Sequence, residues 1–134
     1  MEIIAQENEL DEVIKILINK LQKNRIFTFV GDLGAGKTTL IKKFCSKLGV
    51  EGEMSSPTFG LVNTYSSNIG TIYHTDWYRI NDVIELYDAG IDEALDDGIW
   101  LIEWPEIGID IFKYFNPVNI QITHQTLYRK YIIN

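Results

Sequence analysis

The sequence feature that most constrains the fold of this chain is an octapeptide at 31–38, Gly-Asp-Leu-Gly-Ala-Gly-Lys-Thr. The five residues before it, at 26–30, are mostly apolar and rich in β-branched and aromatic side chains, which is typical of a buried strand. After it, apolar residues recur at helical spacing over 40–48, and Gly49 is placed to end the helix. The sequence therefore predicts a strand, a glycine-rich loop and a helix in direct succession.

The octapeptide matches the pattern G-x-x-x-x-G-K-[ST] at every fixed position. In a loop between a strand and a helix, backbone N–H groups and the positive end of the helix dipole converge on one anion. Lys37 would place its ammonium by the β- and γ-phosphates, and Thr38 would offer a hydroxyl to Mg²⁺. We therefore predict a nucleoside triphosphate site, with ATP and Mg²⁺ as the expected ligands. The nucleotide-binding residues predicted in this segment are Asp32, Leu33, Gly34, Ala35, Gly36, Lys37, Thr38 and Thr39.

A second metal anchor is predicted at Glu103. It follows the apolar run at 99–102, which fits a buried central strand, and open α/β sheets place their ligand crevice at the carboxyl ends of such strands. The carboxylate can there reach a metal ion held by Thr38. Many P-loop proteins have Asp at this place, so Glu103 departs from the common pattern. The alternative interpretation is an acid that caps the strand end in water.

Two further segments carry polar side chains that suit phosphate chemistry. The Ser-Ser-Pro-Thr segment at 55–58 comes about a helix length after the loop, and Thr58 could add a hydroxyl to the metal shell; an ordinary Ser-Pro turn is the alternative. In the segment at 74–79, Asp76 could orient water directly or through the Mg²⁺ shell. Arg79 could neutralise phosphate charge or pair with an acid. For His74 alone, a core or turn role is favoured. The predicted catalytic residues are Lys37, Thr58, Asp76 and Glu103.

The remaining periodicity predicts an α/β fold. Helical patterns occupy 10–21 and 82–89, and strand patterns occupy 59–65, 71–75, 118–122 and 127–133, with a five-residue turn at 66–70. We expect a P-loop NTPase fold with a mixed central sheet, helices on both faces and an antiparallel C-terminal hairpin. With 134 residues, 46% of them hydrophobic, one domain over 1–134 is expected.

Composition limits the classes of function. A net charge of −7 argues against a protein that grips nucleic acid by itself, since phosphate backbones are held by clustered Lys and Arg. Cys45 is the single cysteine, which excludes an internal disulfide, and its place in a helical apolar stripe favours a core role. With only His74 and His124 besides, no zinc-ligand spacing occurs. No apolar stretch approaches eighteen residues and no signal-peptide start is present, so a cytoplasmic protein without a membrane span is expected.

Five motifs, in order along most of the chain, carry a family resemblance. They are Gly-Asp-Leu-Gly-Ala-Gly-Lys-Thr-Thr at 31–39, Ser-Pro-Thr-Phe at 56–59, His-x-Asp-x-Tyr-Arg at 74–79, Glu85-Leu86 followed by Gly90, and Ile-Glu-Trp-Pro-Glu at 102–106. Together they resemble the TsaE (YjeE) P-loop ATPases of bacterial tRNA threonylcarbamoyladenosine synthesis. After Pro117 no signature of this family is found.

The resemblance implies a small ATPase that works with the TsaD and TsaB proteins, which attach threonylcarbamoyl to the adenosine beside the tRNA anticodon. It further implies low intrinsic turnover that depends on those partners. Thr38 and Glu103 would serve Mg²⁺, Asp76 would belong to the active region, and the segment around Glu7 would lie near the nucleotide base.

Two other uses of the loop remain open at this stage. A small-molecule or nucleotide kinase shares the phosphate loop but usually needs a basic lid, and the chain has only Arg25, Arg79 and Arg129. A nucleotide-dependent adaptor without useful turnover is the other alternative. A GTPase is less favoured, because the guanine-reading pattern Asn-Lys-x-Asp does not occur.

Overall fold

The computed structural model describes residues 1–52, 54 and 61–134. Its strands form one seven-stranded sheet in the order β1-β7-β6-β2-β5-β4-β3. The strands are β1 (Glu2–Ala5), β2 (Ile26–Val30), β3 (Val62–Ser67), β4 (Gly70–Asp76), β5 (Ile99–Glu103), β6 (Val118–His124) and β7 (Arg129–Ile133). The predicted strand start at Phe59 lies outside the described residues.

The centre of the sheet is parallel and its edges are antiparallel. Strand β2 lies between β5 and β6 and is parallel to both, and β4 continues the parallel set beside β5. The pairs β3–β4, β6–β7 and β1–β7 are antiparallel. The two central strands β2 and β5 are nearly continuous apolar runs because both of their faces are covered. The predicted mixed sheet and antiparallel C-terminal hairpin are confirmed.

Helices cover both faces of the sheet, as predicted. The α-helices are α1 (Asp11–Lys20), α2 (Lys37–Lys47), α3 (Ile84–Asp88) and α4 (Ile91–Ala94), and a 3-10 segment occupies Pro105–Tyr114. Alternate residues along each strand reach opposite faces. Thus Phe27 and Leu101 belong to the apolar cluster that includes α1 and α2. Trp100 and Ile102 belong to a second cluster, with side chains of α3, α4 and the 3-10 segment.

Some elements differ from the sequence-based expectation. Strand β1, helix α4 and the 3-10 segment were not predicted, and β7 begins two residues later than expected. The predicted five-residue turn at 66–70 is wrong, because Ser67 pairs directly with Gly70 and leaves a two-residue turn. The Ser67 hydroxyl stabilises it by donating to the Gly70 carbonyl at 2.7 Å and accepting from the Ile69 N–H at 3.2 Å. No helix in the described ranges combines the length and apolar character that crossing a membrane would need.

The parallel strands determine where a site can form. Strands β2, β4 and β5 run in the same direction, so their carboxyl ends meet at one edge of the sheet. The glycine-rich loop leaves β2 at this edge, while Asp76 and Glu103 end β4 and β5 there. The predicted site residues on three separate segments are therefore brought to the same edge.

Candidate functional site

The glycine-rich loop turns tightly between β2 and α2. Gly34 and Gly36 have φ values of +78° and +106°, a region that L side chains rarely adopt, and Gly36 precedes the first residue of α2. The Ala35 N–H donates to the Asp32 carbonyl at 3.0 Å, which closes the turn. The first N–H groups of a helix have no acceptor within the helix. The loop and the start of α2 thus offer backbone donors to an anion.

Lys37 is folded against the loop that precedes it. Its side chain is buried, and its ammonium donates to the Gly31 carbonyl and, at 3.1 Å, to the Asp32 carbonyl. The same ammonium lies 4.1 Å from the centre of the Trp104 ring, within the range of a cation–π contact. Burial lowers the pKa of the Lys37 ammonium, and the carboxylates of Glu103 and Asp76 oppose that shift.

A chain of hydrogen bonds joins the start of α2 to the sheet. The Thr38 hydroxyl donates to Oε1 of Glu103 at 3.0 Å, and Nε2 of His74 lies 2.7 Å from Oε2 of the same carboxylate. Glu103 and His74 are both buried. A carboxylate at the end of β5 is therefore held between a residue of α2 and a residue of β4.

Asp76 lies beside Glu103 at the same edge. The two residues are partners in the register of β4 and β5, and the Tyr78 N–H donates to Asp76 Oδ1 at 2.9 Å. Burial raises the pKa of the Asp76 carboxyl and the charge of Glu103 raises it further. The Tyr78 hydrogen bond and the charges of His74 and Lys37 act in the opposite direction. Asp76 is half-buried, so part of the residue is accessible to solvent at this edge.

The donor set at this edge fits Mg²⁺. A hydroxyl and a carboxylate, the side chains of Thr38 and Glu103, are hard oxygen donors already within 3.0 Å of one another. No three His, Cys, Asp or Glu side chains come together as a metal site in the part of the chain that the structure describes. One hydroxyl and one carboxylate match the usual protein ligands of Mg²⁺, which is bound through one or two carboxylates together with substrate phosphates and water.

The outer side of the loop borders a cavity of about 660 Å³, within the size range of small-molecule sites. It is lined by Val30, the loop residues 31–35, Trp104, Glu106 and residues 121–124 of β6. Arg129 of β7 lies against the loop, since a methyl group added at Gly36 would be 3.0 Å from its Nε. The Arg129 guanidinium also pairs with the exposed Glu7 at 3.2 Å. Glu7 thus reaches the loop region through Arg129.

The structure brings four predicted site residues together at one edge of the sheet: Lys37, Thr38, Asp76 and Glu103. Asp32, Leu33 and Gly34 are exposed, Ala35 is buried and Thr39 is half-buried. Thr58 lies outside the described residues, and its predicted role stays a prediction, as do the roles of the others.

The sequence did not predict three contacts of the site. They are Trp104 over Lys37, Arg129 against Gly36, and His74 with Glu103. His74 is buried, as a core histidine would be, but its hydrogen bond goes to a site residue. The crowding of polar residues at 74–79 was the one signal that pointed toward it.

Curated relatives align with most of this chain. A tRNA threonylcarbamoyladenosine biosynthesis protein TsaE of Haemophilus influenzae is 37% identical over 132 residues, which cover 90% of this chain and 84% of that protein. A protein of the same name from Rickettsia felis is 43% identical over 111 residues, or 80% of this chain. The matched part spans only 63% of the Rickettsia felis protein's length.

The fold has a counterpart among solved structures. The crystal structure of Bacillus subtilis YdiB superposes with a TM-score of 0.67, covering 99% of this chain and 84% of the other at 24% identity. This likeness agrees with the P-loop NTPase fold. The family model described as threonylcarbamoyl adenosine biosynthesis protein TsaE matches residues 4–132. On that match and on the Haemophilus influenzae relative, this chain belongs to the TsaE family.

Proposed function

We propose that this chain binds ATP with Mg²⁺ at the loop 31–38 and hydrolyses the ATP, slowly alone and faster with TsaD and TsaB. In this proposal it is a cytoplasmic, nucleotide-dependent switch on the TsaD–TsaB complex during threonylcarbamoyl transfer to tRNA adenosine. The observation that carries the proposal is the 3.0 Å contact between the Thr38 hydroxyl and the Glu103 carboxylate. It joins the first turn of α2 to the sheet at the place where a triphosphate held by the loop would need its metal ion.

Each residue has a defined part in the proposed reaction. The N–H groups of the loop and of the first turn of α2 bind phosphate oxygens, and Lys37 places a positive charge beside the β- and γ-phosphates. Thr38 and Glu103 hold the metal ion. When bound, Mg²⁺ neutralises charge on the β- and γ-phosphate oxygens. Asp76, next to Glu103 and half exposed, orients the attacking water.

The family, the net charge and the few arginines support a switch acting on partner proteins over a kinase. The family name places TsaE proteins in threonylcarbamoyl adenosine biosynthesis, and a net charge of −7 disfavours direct binding of tRNA. Partners would then hold the tRNA. A kinase would need basic residues over the transferred phosphate, whereas the chain has three arginines in all, one of which, Arg129, is paired with Glu7.

The proposal is tested by measuring phosphate release from ATP and from GTP, with and without purified TsaD and TsaB. We expect release from ATP that rises when both partners are added. Lys37→Ala should abolish nucleotide binding with the fold intact. Lys43→Ala, a change of an exposed lysine on the same helix, is the matched control and should behave as the unmodified chain does. ATP affinity and hydrolysis that are unchanged in Lys37→Ala would refute the site.

The same assay separates the other uses of ATP. Transfer of the phosphoryl group into an acceptor would support a kinase, and binding without release under any condition would support an adaptor. A second experiment addresses the pathway by reconstituting tRNA modification with the chain omitted, restored, or carrying Glu103→Ala. We expect multiple turnovers only with the unmodified chain. Sustained modification in its absence would overturn the proposed role.

A further inference from the structure

His74 lies in β4, next to the edge strand β3, and its ring makes one hydrogen bond with the described residues. The side chain is 1% exposed and its Nε2 is 2.7 Å from Oε2 of Glu103. Nδ1 of the same ring is buried and has no hydrogen-bond partner among the described residues. Most buried polar atoms in proteins are paired. The bond to Glu103 is therefore the one hydrogen bond that the described residues give this buried ring.

The main chain at Glu103 is already fixed without His74. The Trp77 N–H donates to the Glu103 carbonyl at 3.0 Å, and the Trp104 N–H donates to the Phe29 carbonyl at 3.3 Å. These bonds leave the side-chain torsions of Glu103 free, and the last of them is broad and roughly twofold in glutamate. His74 holds one carboxylate oxygen, and the other oxygen then points to the Thr38 hydroxyl.

We infer that His74 is a positioning residue, whose Nε2–H fixes the Glu103 carboxylate so that Oε1 is presented to the metal ion shared with Thr38. This inference rests on the proposed function, because it assumes a Mg²⁺ ion at that place. A carboxylate that binds a metal ion can only accept hydrogen bonds, so in this proposal Nε2 of His74 is the donor. Glu103 is 2% exposed, so its carboxylate depends on donors that the protein supplies.

The register of the sheet explains why residue 74 holds this position. His74 is paired with Leu101 across β4 and β5, and Asp76 is paired with Glu103. Side chains two residues apart share a face, so His74, Asp76 and Glu103 all project toward the face covered by α2. Hydrogen bonds to metal-ligating side chains commonly set ligand orientation, and their loss typically lowers metal affinity or activity by about 10–100-fold.

The test compares His74→Gln with His74→Asn. The amide nitrogen of glutamine lies at a chain position similar to that of Nε2 and can donate to Glu103, whereas the amide of asparagine ends one bond short of it. The measurement is a titration with Mg²⁺ of the binding of a fluorescent, non-hydrolysable ATP analogue, alongside its binding in EDTA. We expect His74→Gln to keep the Mg²⁺ dependence of the unmodified chain. His74→Asn should lower the apparent Mg²⁺ affinity by about 10–100-fold while the affinity in EDTA stays the same.

Thr75→Val is the control for simple destabilisation. Thr75 is buried next to His74 in β4, and its hydroxyl donates to the Leu61 carbonyl at 2.8 Å. We expect this variant to lower the unfolding temperature and to keep the Mg²⁺ dependence. If His74→Asn behaves in the same way, with a lower unfolding temperature and an unchanged Mg²⁺ dependence, His74 is purely structural and the inference is wrong. If nucleotide binding by the unmodified chain does not respond to Mg²⁺, the proposed metal site fails first and the inference falls with it.

Discussion

Alanine substitutions at Gly34 and Gly36 should lower the free energy of unfolding by different amounts. Only the methyl group added at Gly36 would contact a neighbouring side chain. Gly34 and Gly36 both have positive φ, but a methyl group at Gly34 would have no atom within 4 Å. At Gly36 it would lie 3.0 Å from Nε of Arg129 and 3.2 Å from Cδ and Cζ. The difference between the two variants therefore isolates the contact between the loop and Arg129.

The expected magnitudes follow from these geometries. A left-handed conformation costs an alanine about 1–2 kcal/mol, and the smaller entropy of the unfolded chain offsets about 0.4–1 kcal/mol of it. Gly34→Ala should then lower the free energy of unfolding by about 1 kcal/mol. Gly36→Ala adds an overpacked contact of about 1–3 kcal/mol, for a total of about 2–4 kcal/mol. Arg129 is only 15% exposed on its side chain and is paired with Glu7, which limits how far it can move aside.

The assay is urea and thermal unfolding, followed by far-UV circular dichroism without nucleotide. For a chain of this size the unfolding temperature should fall by roughly 4 °C for Gly34→Ala and roughly 8–16 °C for Gly36→Ala. In an Arg129→Ala background the extra cost of Gly36→Ala should vanish, since contacting residues couple by about 0.5–3 kcal/mol. Equal losses in the free energy of unfolding for Gly34→Ala and Gly36→Ala would refute the reasoning. So would a larger loss for Gly36→Ala that persists in the Arg129→Ala background.

Three further outcomes are expected. Burial raises the pKa of the Cys45 thiol to about 12, so it should resist alkylation at pH 8 in the folded protein and react once urea is added. The pKa of Asp76 is raised on folding, so its charge destabilises the fold above the usual pKa of an aspartate. Asp76→Asn should therefore increase the free energy of unfolding at pH 7, and a pH series should show that gain shrinking toward pH 4. Leu17→Ala should lower the free energy of unfolding by about 2–5 kcal/mol, because this side chain is fully buried, whereas Ile18→Ala, at a position 38% exposed, should cost clearly less.

The parts of the fold that could be predicted have local signals. The loop is recognisable because its glycines, lysine and threonine occur together at fixed spacing in one short segment. Strands β2 and β5 are recognisable because burial on both faces demands continuous apolar runs. Strand β1 has four residues and forms by pairing with β7 at the far end of the chain, so it leaves no local pattern. Helix α4 also leaves no local pattern, because it is a single turn of four residues.

The contacts within the site depend on strand order, which no motif reveals. That Asp76 lies beside Glu103 follows from β4 being the neighbour of β5, and the bond from His74 to Glu103 follows from the same register. Trp104 contacts Lys37 from a backbone with a φ of +55°. This conformation is uncommon for a tryptophan, so the sequence does not predict it. Single residues could therefore be proposed for the site from the sequence, whereas the hydrogen-bond network among them could not.

The register also divides the proposed site into an inaccessible and an accessible half. A one-residue slip of β4 would turn His74 and Asp76 to the other face, so the buried sheet fixes the part of the site that we propose holds the metal ion. Glu103 and His74 are almost without solvent exposure, and a partner protein cannot touch them directly. Leu33 and Tyr78 at the same edge are 68% and 52% exposed. If TsaD and TsaB raise ATP turnover as proposed, we expect them to contact exposed residues such as these, in the loop and in the segment after β4, while the carboxylate proposed to hold the metal ion stays in place.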